Sequence, residues 1–261
     1  MEQSIIMRQL RSAGCLLLLC YVYSVPLYGN AAVRQVVISP IYGPDVWFSV
    51  QSHSTDELTV KGSIHGLRDR SIITDDDYKQ RFVAMDGKYR IIHTLGKETE
   101  TRVTGGHKAQ VQRPVRDVIR FDLAGIFDSG PTDPIDLIPL YAGHPVAIGD
   151  TWTPKAAVKT PFGTGTAAYT FRLDSIDIDE QGHTVARVSV SFVSELVPID
   201  VYKMATTSAE GKGWFLWDCS VNQRRETHIQ GIYMLTIGDL SARELLSVGD
   251  RLVVHPGHES F

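Results

Sequence analysis

The chain has 261 residues, of which 43% are hydrophobic and 9% aromatic, and it carries a formal net charge of −4. This composition is that of a globular protein with enough apolar side chains for one large core or two smaller ones, and it excludes a disordered chain. The slightly acidic charge and the lack of any run of Lys and Arg argue against nucleic acid as a partner.

The N-terminus has the pattern of a secretory signal peptide. Arg8 and Arg11 precede an apolar run, which is followed by small residues up to Ala31 and Ala32. We predict that residues 1–31 are removed by cleavage after one of these two alanines and that the protein is exported to the periplasm or the exterior. The alternative is a retained anchor, but the apolar run of about 15 residues is shorter than the roughly 20 that span a bilayer.

The cysteines give little support for lipid attachment or for disulfides. Cys20 is preceded by Leu19 rather than by a small residue, and Cys15 lies before the apolar run. Lipoprotein anchoring is therefore not expected. Signal cleavage would leave Cys219 alone, which excludes an internal disulfide, and we predict that it is a small buried hydrophobic residue and not a nucleophile.

Two β-rich blocks flank a central segment. We predict a first block at 32–135, a crossover strap at 136–155 and a second block at 156–261, and the two blocks either stand apart or form one continuous domain. The predicted fold is mainly β: an antiparallel, strongly curved sheet or half-barrel built from two β-meander blocks, with one or two short helices.

The first block contains short apolar runs bounded by turn residues. Its clearest hairpin is centred on Asp86-Gly87, because this dipeptide tolerates the positive φ angles of a tight turn. Residues 74–77 fit either a loop or one helical turn. Strands are predicted at 36–38, 46–50, 57–64, 98–104, 108–113 and 117–123.

The strap centres on the segment from Leu140 to Trp152. Pro145 prevents an ordinary helix, and Gly149-Asp150 favours a tight turn just before Trp152. We predict that this segment is structural and that Trp152 anchors it to the core.

The second block shows regular alternation of apolar and polar residues. The alternation slips in phase after Leu173, which predicts a β-bulge near Asp174-Ser175. Further along, Ser241 and Glu244 form a capping box that predicts a short helix at 242–248. A final edge strand is predicted at 251–254.

No catalytic, metal or cofactor motif is recognisable, so we expect neither a metal nor a cofactor. The glycine-rich stretch at 163–167 opens a strand rather than a helix, so it lacks the helix N-terminus that binds phosphate. His144 has no visible partner in the sequence, and the pair His255 and His258 lies near a chain end. Two acidic groups, Asp75–Asp77 in a loop and Asp174–Glu180 at a hairpin tip, are predicted to be solvated.

The aromatic residues are the best candidates for binding. They supply more apolar area than hairpins need, so they either fill an ordinary core or line the concave side of a curved sheet around an apolar ligand. The candidate binding residues are Trp47, Trp152, Phe171, Trp214, Trp217 and Tyr233.

One short segment carries a resemblance to known proteins. Pro145-Val-Ala-Ile-Gly-Asp-Thr-Trp152 lies between two β-rich halves, and the pair Trp217-Asp218 follows in the second half. This order resembles an uncharacterised family of exported bacterial β-rich proteins with a P-V-x-x-G-D-x-W segment, which are similar in type to the LolA/LppX half-barrel. The resemblance implies an antiparallel sheet curved around an apolar cavity and supplies no catalytic residues. The chain departs from lipoprotein members in lacking a usable lipid-attachment cysteine.

We therefore predict an exported, non-catalytic β-protein that binds an apolar ligand such as a lipid, or a partner in the cell envelope. Two alternatives stay open: a structural or interaction module of the envelope, and a hydrolase whose site is not recognised, around His144 or the acidic hairpin. No stable membrane span is expected after signal cleavage.

Overall fold

The computed structural model describes residues 35–38, 46–86, 89–122, 133–136 and 142–256. The predicted signal peptide, the hairpin glycine Gly87, His258 and residues 137–141 of the strap lie outside the described residues.

Thirteen β-strands are present in the described part of the chain. The first five are β1 (Gln35–Val37), β2 (Val46–Lys61), β3 (Arg70–Asp86), β4 (Tyr89–Thr104) and β5 (His107–Asp122). Three short strands follow, namely β6 (Pro145–Ala147), β7 (Thr151–Trp152) and β8 (Lys155–Lys159). The last five are β9 (Gly163–Ile178), β10 (Thr184–Pro198), β11 (Thr206–Asp218), β12 (Gln223–Ile237) and β13 (Leu240–Pro256).

Strands make up 76% of the structure, and the prediction of a mainly β fold with a large antiparallel sheet is confirmed. The predicted short helices do not form. The described residues contain two single 3-10 turns at other positions, Pro134–Asp136 and Asp200–Tyr202. The described residues contain no helix that is long and apolar enough to cross a membrane.

One sheet of eleven strands dominates the fold. Its order is β5-β4-β3-β2-β13-β12-β11-β10-β9-β7, with β8 also paired to β9, so it is an open sheet that is consistent with the predicted curvature. Most neighbours are successive along the chain, and the exceptions are the pairing of β7 with β9 and, over a much longer stretch of sequence, the pairing of β2 with β13. These two strands pair from Lys61 opposite Ser241 to Val46 opposite Pro256. Strands of both β-rich blocks therefore belong to one sheet.

The core lies on one face of this sheet, which we call the inner face. It is built from alternate residues of β9 to β13, such as Tyr169, Phe192 and Leu235. A separate two-stranded ribbon of β1 and β6 contributes Val36 and Val146 to the same cluster. We call the opposite side of the sheet the outer face.

Three local predictions in the second half have clear outcomes. The β-bulge is confirmed, because Arg187 pairs with Ser175 and Val188 pairs with Leu173, which leaves Asp174 as the extra residue. The helix predicted at 242–248 is wrong, since these residues belong to β13. Hydrogen-bonding strands on both sides outweigh a capping box that stabilises a single helical turn. The strand predicted at 251–254 is present as the end of β13, where residues 252–254 pair only with β2, although the rest of β13 lies between β12 and β2.

The turn that leads into Trp152 forms as predicted. Gly149 has φ +94°, a conformation that glycine adopts without strain. Asp150 closes the turn, since its carboxylate accepts a hydrogen bond from the N–H of Ala147 at 2.8 Å. The Gly149 N–H also donates to the carbonyl of Leu173 at 2.7 Å. The strap is thus hydrogen-bonded to β9 at this point.

Trp152 packs against the core of the second half. Its side chain is 9% exposed, and its ring stacks on Phe171 with centroids 5.3 Å apart and an angle of 12° between the planes. The stacked pair buries a large apolar area at the junction of the strap and the sheet.

We expect Trp152→Ala to lower the free energy of unfolding by roughly 3–5 kcal/mol, the usual cost of truncating a buried tryptophan. Chemical denaturation at equilibrium measures the change. Ile178→Ala is the matched control, because Ile178 is 63% exposed and its truncation should change stability by less than about 0.5 kcal/mol. Equal midpoints for Trp152→Ala and wild type would show that the strap is not anchored by this ring.

Candidate functional site

Four of the six candidate binding residues pack together in the core of the inner face. Trp152, Phe171, Trp217 and Tyr233 are all buried members of one hydrophobic cluster. Phe171 also contacts Phe215 edge to face at a centroid distance of 6.2 Å. A binding role for these four side chains stays a prediction.

The other two candidates, Trp47 and Trp214, lie half-buried on the outer face. The Lys79 ammonium group lies 4.8 Å from the centroid of the Trp47 ring. The Trp214 ring contacts the Arg187 guanidinium at 4.2 Å and the His228 imidazole at 4.4 Å, both measured to ring centroids. Trp214 and the buried Trp217 lie on opposite faces of the sheet, because side chains alternate along a strand and these two residues are three positions apart. The sequence alone contains this signal.

Trp214 belongs to a row of residues that crosses nine strands of the outer face. Residues directly opposite each other on paired strands project to the same side of a sheet, so the pairing register defines such a row. From β9 to β5 its members are Arg172, Ser189, Trp214, His228, Gly249, His53, Asp75, Thr99 and Gln112. We call it the central row. No sequence pattern relates these residues, because long-range strand pairing brings them together.

Two adjoining cavities along the central row form a continuous depression, which we call the outer groove. Their volumes are about 730 Å³ over β9–β12 and about 630 Å³ over β12–β4, and His228 and Ser247 line both. Small residues at Ser189, Ser191 and Gly249 leave room in the floor. A Cβ at Gly249 would lie 3.4 Å from Nδ1 of His228, so the glycine lets that imidazole lie close against β13.

The two imidazoles of the central row are each paired with a carboxylate. Nδ1 of His53 lies 2.7 Å from Oδ1 of Asp75, and Nε2 of His228 lies 2.8 Å from Oε1 of Glu226. Neither pair has a hydrogen bond to a serine or cysteine among the described residues. The arrangement can therefore donate and accept hydrogen bonds, but it does not assemble the nucleophile–base–acid order of a hydrolase.

The charge of the outer groove changes along its length. The cavity over β9–β12 is lined by Arg172, Lys212 and His228 with no carboxylate side chain. The side chains that line the cavity over β12–β4 are instead both acidic and basic, namely Asp75, Asp77, Glu226, Lys97 and Arg251, whereas Asp76 and Asp250 direct their side chains to the inner face. We call these parts the basic half and the mixed half.

The acidic run Asp75–Asp77 lies in strand β3 and not in the predicted loop. Asp75 and Asp77 are exposed on the outer face, in agreement with the predicted solvation. Asp76 points to the inner face, where burial and the charges of Glu98 and Asp250 raise its pKa to about 6. The second acidic group does form a hairpin tip: Asp179 accepts hydrogen bonds from two N–H groups within its own turn.

A buried polar cluster, which the sequence does not signal, lies on the inner face where β2 meets β13. Its members are Asp56, Arg70, Asp133, Tyr233 and Glu244, which come from strands β2, β3, β12 and β13 and from the residue before the first 3-10 turn. Nη2 of Arg70 donates to Glu244 at 2.5 Å and to Asp56 at 3.0 Å. The Tyr233 hydroxyl donates to Asp133, which joins residues 133–136 to the sheet.

This cluster has more carboxyl groups than cationic partners. Glu244 is 1% exposed, and its burial and the neighbouring charge of Asp56 raise its pKa to about 8, against the opposing effect of Arg70. Oε2 of Glu244 and Oδ1 of Asp56 are buried and have no hydrogen-bond partner among the described residues. Burial also raises the pKa of Asp133. The native cluster therefore holds protons at a pH where the unfolded chain has lost them.

The remaining candidates for chemistry have ordinary surroundings. His144 is exposed, and its Nδ1 lies 3.0 Å from the carbonyl oxygen of Pro145. Burial and the neighbouring Asp218 raise the pKa of the Cys219 thiol to about 11, so the thiolate is scarce at neutral pH. Within the described ranges, no three His, Cys, Asp or Glu residues are arranged to hold a metal ion.

No protein-family model matches the chain, and no curated protein is significantly similar to it. The residues that define the outer groove and the buried cluster are therefore assigned from their geometry alone.

We expect stability to fall as the pH rises from about 4.5 to about 8. A carboxyl group whose pKa is higher in the native state than in the unfolded state stabilises the fold at low pH and loses this contribution as the pH rises through its native pKa. The stabilising contribution of Asp76 is lost as the pH rises through about 6, and that of Glu244 is lost as the pH rises through about 8. Between pH 6.5 and 8, Glu244 should account for about 2 kcal/mol of the loss.

Melting curves across this range test the role of Glu244. Glu244→Gln keeps an acceptor for Arg70 but cannot ionise, so the decline between pH 6.5 and 8 should flatten. The exposed Glu195→Gln is the matched control and should keep the wild-type slope. If the Glu244→Gln curve runs parallel to wild type, Glu244 is already ionised in the native protein at pH 6.5.

Proposed function

We propose that this chain is an exported, non-catalytic protein of the cell envelope that binds an extended polar partner along the outer groove. The observation that carries this proposal is the central row, which places Trp214, two imidazoles and several hydroxyl and amide side chains in one continuous groove. A groove of this length suits a chain-like ligand better than a compact one.

The positions of the aromatic residues favour such a partner over an apolar ligand inside the sheet. Four of the candidate aromatic side chains are packed within the hydrophobic core, namely Trp152, Phe171, Trp217 and Tyr233. The aromatic residue that reaches the outer groove, Trp214, is surrounded by polar side chains. This supports the envelope-partner form of the function over the lipid-binding form.

Export and the lack of catalysis are supported by separate observations. The basic, apolar and small-residue order of residues 1–31 supports export to the periplasm or exterior. The raised pKa of the Cys219 thiol and the exposed position of His144, whose Nδ1 lies against the carbonyl oxygen of Pro145, support a non-catalytic role.

The edge strand β5 supports a second candidate, an interaction module of the envelope. β5 spans His107–Asp122 and pairs with β4 along one side, and no described strand pairs with its other side. A free edge offers backbone hydrogen bonds to a partner strand. Pro114 interrupts the donors of this edge, which makes it a poorer docking site than the outer groove.

Blocking the outer groove should weaken ligand binding strongly without unfolding the protein. Ser247 lines both cavities, and Ser247→Tyr places a ring where they meet. We expect binding to oligosaccharides or peptides of the cell envelope, measured on an array, to fall by about tenfold or more, since interface energy concentrates at central positions.

Ser208→Tyr is the matched control for this experiment. Ser208 is exposed on the same face of β11 but does not line the outer groove, so its substitution should leave binding unchanged. Ligands that bind wild type and Ser247→Tyr equally well would place the binding surface elsewhere.

A further inference from the structure

The basic half of the outer groove has a charge opposite to that of the whole chain. The protein carries a net charge of −4, yet the residues that line this half include Arg172 and Lys212 and no Asp or Glu. A local excess of positive charge attracts anionic groups, and more so in a depression than on a flat surface.

These cations are available to a ligand to different degrees. Lys212 forms no ion pair with any residue that the structure describes. Arg172 is paired with Asp174 at 2.8 Å, but its side chain is 60% exposed and has further donors to offer. Arg187, next to this half, places its guanidinium on Trp214, and no carboxylate of the described residues pairs with it. Asp174, the carboxylate beside this half, also accepts a hydrogen bond from Ser189 at 3.2 Å, and Glu226, which lines the mixed half, is held by His228.

The spacing of the two lining cations favours a polymer over a small anion. Arg172 lies on β9 and Lys212 on β11, two strand spacings apart and offset by two residues along the strand direction, so their Cα atoms are about 12 Å apart. A single carboxylate or phosphate group contacts both only if the two long side chains bend towards each other. A chain with repeated acidic groups can contact both at once and gains affinity from their linkage.

The other lining residues match a sugar chain. Hydroxyl and amide side chains surround the two cations, at Thr151, Thr170, Ser189, Ser191, Gln230 and Ser247. Such groups hydrogen-bond to the hydroxyl groups of a glycan. A peptide that binds to a sheet uses the free backbone groups of an edge strand, whereas the groove crosses β10, β11 and β12, which are paired on both sides.

A nucleic acid fits this surface less well. Single-stranded nucleic acids bind by stacking their bases on exposed aromatic faces above a strongly basic groove. The Trp214 ring is contacted by both Arg187 and His228, and the mixed half of the groove carries carboxylates.

We propose that the basic half of the outer groove binds an acidic glycan, with Lys212 and Arg172 contacting two acidic groups of one chain and the surrounding hydroxyl side chains contacting its sugar hydroxyls. This inference rests on the proposed function and names the chemical class of the ligand.

The experiment compares two forms of one polymer. Oligogalacturonate carries a carboxylate on every sugar, and its methyl-esterified form has the same backbone without the charge. Isothermal titration should show binding of the acid form, at least tenfold weaker binding of the ester, and a loss of affinity with added NaCl because exposed charges are screened. Polyglutamate of similar length serves as the acidic peptide.

Two variants assign the contact to the groove. Lys212→Gln should weaken binding of oligogalacturonate by about tenfold, the loss expected for one charged contact. Lys108→Gln removes an exposed lysine on the same face of β5, outside the groove, and should leave the affinity unchanged.

The outcomes separate this inference from the proposed function. Equal affinity for acid and ester, tighter binding of polyglutamate, no binding of any of the three polymers, or wild-type affinity in Lys212→Gln would each overturn the acidic-glycan inference. If Ser247→Tyr still removes binding of a neutral glycan or a peptide, the groove keeps its function with another ligand. If Ser247→Tyr changes no binding at all, both proposals fail.

Discussion

The pairing of β2 with β13 is the constraint on which the rest of the structure depends. It connects the hairpins of the first half to those of the second and extends from Val46 to Lys61. Side chains alternate strictly along a strand, so this register decides which residues of β2 and β13 share a face. A slip by one residue would turn His53 inward and Leu58 outward, and it would remove both the outer groove and the buried cluster.

The two faces of the sheet differ in how their polar residues are accommodated. The inner face over β9–β13 is apolar and carries the core. Near β2 and β3 the same face holds buried carboxyl groups, which are tolerated because Arg70 pairs with them and because the pKa of Glu244 is raised. Removing water from a charged group costs free energy unless partners or protonation compensate. The outer face carries no such cost, because its polar residues remain in contact with solvent. Small residues can therefore open a groove there without loss of core packing.

Features encoded within a few residues are predictable from the sequence. The Gly149-Asp150 turn, the bulge at Asp174 and the burial of Trp152 each follow from a local pattern, and the structure shows all three. The alternation of side chains along a strand also predicts that Trp214 and Trp217 lie on opposite faces of the sheet.

Features that depend on distant partners are not predictable in this way. Ser241 and Glu244 have the spacing of a helix cap, and only the flanking strands β12 and β2 make that segment a strand. Glu244 meets Arg70 across 174 positions of the chain, so no local pattern marks it as buried. The central row likewise draws one residue from each of nine strands. The candidate site is therefore a product of register, which a single sequence does not display.

The position of β13 in the sheet also sets the order in which the protein can fold. β2 emerges early in synthesis, yet one of its two neighbours is the last strand that the structure describes. Until β13 arrives, the long edges of β2 and β12 have no partner, and the first half of the sheet is a separate meander with an open side. Contacts between such distant segments form slowly, and unpaired edges promote aggregation in the meantime. A chain truncated before residue 240 would retain most of its hairpins and lose the means to join them.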